Sequence, residues 1–150
     1  MTVEDPVKVI RYGRHEFTIH EAEADGDVYA GDVVEEQNGG DTVTQADSMT
    51  QYDRLCIAID DRERGKELGD SYADGTLVQY IRPSGGAFNV LMASGQTVDP
   101  DTEDRIVVDS NGKVRPFDAD GDEDVLFTVE ADEEIEAPAD EVEPIPVVVV

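Results

Sequence analysis

Apolar and polar residues alternate in short runs along most of this chain, with Gly, Asn, Pro and Ser between the runs, which is the two-residue period of half-buried strands. Phe17 and Ile19 against Glu16, Thr18 and His20 predict a strand inside the segment 7–22. Val43 between Thr42 and Thr44 predicts a shorter one. RLCIAID at 54–60 reads as a compact apolar strand, and VLFTVEA at 125–131 as another. Turns are predicted at Tyr29-Ala30-Gly31-Asp32 and at Asn38-Gly39-Gly40. The apolar runs LVQYIR (77–82) and AFNVLMA (87–93) flank Pro83-Ser84-Gly85-Gly86, which predicts a hairpin with both strands largely covered. Helix is confined to one candidate, 61–75, and Gly65 and Gly69 inside it reduce that candidate to a charged loop. The fold class is all-β with antiparallel hairpins and little or no helix. One domain is expected over 1–150, with an N-terminal arm at 1–12, an acidic linker from 132 and a C-terminal valine strand ending at 150.

The hairpin around Asn111-Gly112 can be read in more detail. A two-residue loop would mix Asp109 with Val107 and Val114 on one face. A three-residue loop, Ser110-Asn111-Gly112, aligns Val108 with Val114 and Asp109 with Lys113 and sorts the faces. The expected turn is type I followed by a left-handed Gly112. Ile106, Val108 and Val114 then point inward, and Asp109 opposes Lys113.

Charge narrows the partners. The 150 residues carry 37 acidic and 11 basic side chains, a formal net charge of −26. Nucleic acid is an improbable partner, because phosphate binding needs clustered Lys and Arg, and anionic membrane surfaces fail for the same reason. No apolar run reaches the length of a membrane span and the N-terminal residues do not read as an export signal. Self-repulsion on this scale opposes compaction in dilute buffer, yet the screening length falls from about 10 Å at 0.1 M salt to about 3 Å at 1 M. Eight Arg against three Lys, with the acidic surplus, resembles the proteins of salt-in halophilic archaea.

Candidate chemistry is sparse. Cys56, the lone cysteine, sits between apolar neighbours as a small core residue. His15 and His20 are five positions apart and point to opposite faces of a strand, so they share no metal. No nucleophile elbow, phosphate loop or zinc pattern is present, and the chain is not expected to be an enzyme. No cofactor is expected. Asp118, Asp120 and Asp122 in DADGDED are the one candidate ligand set, for Ca²⁺ or Mg²⁺, although the glycine spacing is not that of an EF-hand and a solvated turn is the competing reading. Pro146, Val147, Val148, Val149 and Val150 form an adhesive end that must be covered, either by the chain's own sheet or by a neighbouring subunit, and are the candidate interface.

The stretches YADGTLVQYIRPSGGAFNVLMASGQTV (72–98), DRIVVDSNGKVRPF (104–117) and DEDVLFTVEA (122–131) together resemble the capsid decoration, or cement, proteins of tailed viruses, in particular those of haloarchaeal viruses and proviruses. The resemblance spans Arg54 to Ala131. It implies a small β-barrel or β-tulip-like domain on the capsid exterior, made in the host cytoplasm. It also implies homo-oligomers such as trimers that grip the major capsid protein and reinforce the shell. The runner-up readings are a turret or spike base built on the same fold and a cellular haloarchaeal β-rich binding module. A metal-dependent hydrolase is disfavoured, since no base, nucleophile or pocket accompanies the aspartates.

Overall fold

A computed structural model describes residues 8–50, 53–122 and 124–150. The first half of the chain forms β1 (His20–Ala24), β2 (Val28–Tyr29), β3 (Val33–Gln37), β4 (Thr42–Gln45), β5 (Cys56–Ala58), β6 (Ser71–Tyr72) and β7 (Leu77–Ile81). The second half forms β8 (Ala87–Met92), β9 (Thr97–Val98), β10 (Arg105–Val108), β11 (Val114–Pro116), β12 (Phe127–Val129), β13 (Ile135–Glu136) and β14 (Glu143–Val149). The only helical pieces among the described residues are three short 3₁₀ turns, as the glycine-broken 61–75 stretch led one to expect.

Two closed five-stranded barrels result, in the orders β1-β4-β3-β5-β7 and β10-β11-β8-β14-β12. Numbered within each half, both rings have the same strand order, and in each one pairing is parallel, β1 with β4 and β8 with β11. The remaining four contacts per ring are antiparallel. The short ribbons also correspond, with Val28 opposite Tyr72 in the first half and Val98 opposite Ile135 in the second. The chain is therefore an internal duplication.

The match extends to register. Ala24 opposes Val43 as Met92 opposes Val114, Val34 opposes Cys56 as Ile106 opposes Phe127, and Ala58 opposes Tyr80 as Val129 opposes Val147. Single backbone bonds recur at the matched places: Ile59 N–H donates to Gln79 C=O and Glu130 N–H to Pro146 C=O, at 2.9 and 2.8 Å. All the matched positions just named that form the ring contacts are buried in both barrels. With no edge left open, neither ring offers a strand for pairing with another chain.

Three expectations from the pattern change. LVQYIR and AFNVLMA, although covered, do not pair with each other: β7 closes the first barrel against β1 and β5, and β8 belongs to the second. Pro83-Ser84-Gly85-Gly86 is the link between barrels. The strand expected within 7–22 begins only at His20, because Gly13 at φ 69 opens a 3₁₀ turn over Arg14–Glu16. The acidic stretch from 132 is not wholly linker, since β13 pairs with β9 and buries Ile135 and Ala137.

The valine end is β14 itself, paired with β8 along one side and β12 along the other. Of the two ways to cover it, the chain uses its own sheet. Pro144 and Pro146 fit because β14 outruns β12 there: its ladder with β12 covers only Val147 to Val149, so the absent N–H groups cost no ladder bond.

Candidate functional site

Local turn chemistry builds the junction between the barrels. The β10–β11 hairpin has the three-residue register, Val108 opposite Val114, with Gly112 at φ 73 and Asp109 N–H donating to Lys113 C=O at 2.9 Å. Asn111 is also at positive φ, 53, so the tight turn closed by Lys113 N–H on Ser110 C=O has the type I′ signature rather than the type I expected.

That tip is pushed into the first barrel. Gly112 N–H donates to Ala46 C=O at 2.8 Å and Gly112 C=O accepts from Val33 N–H at 2.9 Å. A Cβ on Gly112 would lie 2.9 Å from Asp32 Cβ and from Val33 O, so the approach needs glycine. Lys113 lies opposite Asp109 in the backbone register, as the alternation suggested, but its side chain does not pair there; its Nζ reaches Asp32 Oδ1 at 2.6 Å and stands 4.8 Å from the Tyr29 ring centroid. Asp109 instead accepts from Arg115 at 3.1 Å. Asp32 is wholly buried, and Tyr29 N–H and Gln45 Nε2 each donate to its Oδ2 at 2.9 Å. Burial pushes its pKa up, and the Lys113 ammonium and the three donated hydrogen bonds work against that shift. A buried carboxylate of this kind stays tolerable only while its cation is in place.

The N-terminal residues strap the same two bodies. Val9 and Ile10 are buried; Val9 N–H donates to Asp60 Oδ1 at 3.0 Å in the first half, and Asn89 N–H donates to Val9 C=O at 2.7 Å in the second. Arg14 and Arg11 add ion pairs to Asp60 and Glu130. The described part of the expected arm, 8–12, is thus docked, and residues 1–7 lie outside the described residues.

The barrels differ at one mouth. In the first, Tyr80 Oη donates to Glu36 Oε2 at 2.6 Å and Arg82 pairs with the same carboxylate. Burial raises the Glu36 pKa, but hydrogen bonds from Arg82 and Tyr80 outweigh it and the net direction is down. Burial, with Glu36 adding to it, pushes both Tyr80 and the neighbouring Cys56 thiol up to about 12. Cys56 is therefore an unreactive core residue, as its setting in the sequence implied. In the second barrel Val108, Phe127 and Val147 occupy the places of Glu36, Cys56 and Tyr80. His20 stacks near Tyr80, with centroids 5.5 Å apart, and His15 lies exposed in the 3₁₀ turn, so the two histidines do not form a site.

The candidate metal ligands are not brought together. Asp122 is held by Arg115 through two hydrogen bonds, 2.6 and 2.8 Å, and accepts Asp118 N–H at 2.7 Å; Asp118 Oδ1 accepts Asp120 N–H at 3.0 Å. Arg115 holds the Asp122 pKa down to about 2. The carboxylates brace a turn, and among the described residues no group of three ligand-type side chains converges. Of the candidate interface residues, Pro146 and Val147 are buried in the second barrel, Val148 and Val149 are partly covered, and Val150 is 72% exposed. Sequence reasoning missed Asp32, because its signal is the ion pair with Lys113, 81 residues away.

Neither a family profile nor a curated protein sequence matches the chain. Among solved structures, the chain is similar to the base of the head fiber protein gp8.5 of bacteriophage phi29, with a TM-score of 0.57 and 18% identity over 89% of this chain and 94% of that one. The likeness is one of fold, and it runs through both barrels.

Proposed function

We propose that this protein is a structural component of a tailed-virus head, attached to the capsid exterior as a homo-oligomer and acting by contact rather than by catalysis. The observation that carries the reading is the near-complete mutual coverage with a head fiber base, in which the paired-barrel architecture is matched as a whole. The capsid-protein resemblance of 54–131 supports the same conclusion from sequence pattern. Its partner would be the major capsid protein. Two closed barrels clasped into one body suit a load-bearing block, since such rings expose no unpaired strand. The net charge of −26 fits work in concentrated salt, where short screening lengths let like-charged surfaces meet.

Within this reading, the neighbour's identity as a fiber base favours the fiber- or spike-base role over plain lattice decoration. Cosedimentation with heads assembled from the major capsid protein of the same virus, in molar salt, tests the proposal. Saturable binding is expected, clustered at one class of lattice position for a base and spread over the lattice for a decoration protein. Failure to sediment with heads would overturn it.

A further inference from the structure

Beside the first barrel lies a small notch floored by Tyr72, Ala73, Thr76 and Leu77, with Arg64 and Lys66 on its rim. Leu77 is 44% exposed at this notch. Arg64 is fully engaged, by Glu21 at 3.0 Å, Asp61 at 3.1 Å and the Leu77 carbonyl at 3.3 Å. Lys66 is not: among the described residues its side chain makes no ion pair, and neither does that of Arg62 on the same turn. Arg62 lines a separate hollow with Asp60, Asp61 and Glu63, and in a chain with 37 carboxylates the rim lysine without an internal ion pair is the group left to meet acid from elsewhere.

The second barrel has the opposite character. Its cations Arg105, Lys113 and Arg115 are all paired within the chain. From Asp132 to Glu143 it has seven acidic residues and no basic one. This segment is held in shape by β13 and by Glu141 N–H on Pro138 C=O at 3.4 Å, and it presents Val142 at 38% exposure next to Asp140 and Glu141. A preformed acidic turn with one apolar side chain complements a cationic rim around an apolar floor.

We propose that the notch receives the Pro138–Val142 turn of a second copy of the chain, Val142 against Leu77 and Glu141 or Asp140 against Lys66. The inference rests on the oligomeric reading above and specifies its contact. It joins the first barrel of one protomer to the second barrel of the next, a heterologous contact whose rotation sets whether a closed ring or an open filament forms.

The test uses the full-length chain and its variants Leu77→Thr, Val142→Thr, Lys66→Glu and the swap Lys66→Glu/Glu141→Lys. Each is followed by light scattering after size exclusion and by native mass spectrometry, with circular dichroism as a control for folding. The expected result is that either threonine variant weakens association about 10-fold or more even in molar salt. Lys66→Glu should weaken it chiefly at lower salt, and the swap should restore it to within about 3-fold of wild type. A wild-type oligomer that all four variants leave unchanged would overturn this contact while sparing the oligomeric reading. A wild-type chain that stays monomeric over the accessible concentrations would sink both.

Discussion

The two barrels share strand order, register and even turn conformation, and they put the same turn to different uses. The β3–β4 turn, closed by Asp41 N–H on Asn38 C=O, has Gly39 and Gly40 at φ 71 and 97; the matching β10–β11 turn, closed by Lys113 N–H on Ser110 C=O, has Asn111 and Gly112 at φ 53 and 73. A Cβ built on Gly40 in the first tip would make only ordinary contacts, Glu36 Oε2 at 3.5 Å and Arg82 at 3.9 Å, whereas one on Gly112 is wedged at 2.9 Å against Asp32 and Val33. At the fourth position of the turn the first has Asp41 and the second has Lys113, whose ammonium neutralises a buried aspartate. The place of Asp32 in the second barrel is taken by Asp104, which is exposed. A duplicated scaffold thus acquires a specific junction from a few changes around one tip, and the unmatched tip and acceptor do not propagate it.

Breaking this comparison has graded consequences. The largest effect is expected from deleting residues 143–150, which removes β14 from between β8 and β12 and opens the second ring. All five tyrosines lie in the first half, whose ring is left intact, so the far-ultraviolet strand signal should fall while the tyrosine near-ultraviolet band persists in part. Next comes Lys113→Ala, which strands Asp32 in the core and should cost about 3–5 kcal/mol in urea unfolding. Asp32→Asn/Lys113→Met, which removes both charges, should recover part of that loss.

The paired glycines sharpen the contrast. Gly112→Ala meets a backbone carbonyl and a buried side chain as well as an unfavourable φ, and about 2–4 kcal/mol is expected. Gly40→Ala meets only ordinary contacts and so faces little beyond the conformational cost of its positive φ, about 1 kcal/mol. Equal losses at the two sites would show that the tips are equivalent after all. The smallest effect concerns pH. Asp122 has its pKa lowered by Arg115 to about 2, so the native state binds that proton more weakly than the unfolded chain does. Its contribution to stability is complete above the unfolded value near 3.8 and is lost as pH falls through about 2. Carboxyl carbon shifts in an NMR titration should report that midpoint, and Arg115→Gln should move it up.

The sequence made some of this legible. The all-β class, the register of the 106–114 hairpin and the left-handed Gly112 follow from alternation and turn chemistry, which act within a few residues. Duplication does not show, because the halves share burial and not identity. Ala22 and Ala24 in the first correspond to Val90 and Met92 in the second, and Cys56 and Tyr80 to Phe127 and Val147, so small and large side chains are redistributed around rings of the same register. Pro83-Ser84-Gly85-Gly86 looked like a hairpin because both flanking runs are apolar, yet partner choice was decided by strands far along the chain. The Asp32–Lys113 pair was hidden for the same reason. Asp118, Asp120 and Asp122 read as ligands only until Arg115, seven residues before Asp122, claimed that carboxylate.

The central physical claim is that the clasp makes two barrels into one cooperative body. Hydrogen exchange of the Ile59 and Glu130 amides, matched donors in the two rings, tests it directly when followed through a denaturant series in molar salt. Both should lose protection at one common free energy in the wild type and separate in Lys113→Ala. Different free energies in the wild type would mean that the rings open independently, contradicting the claim.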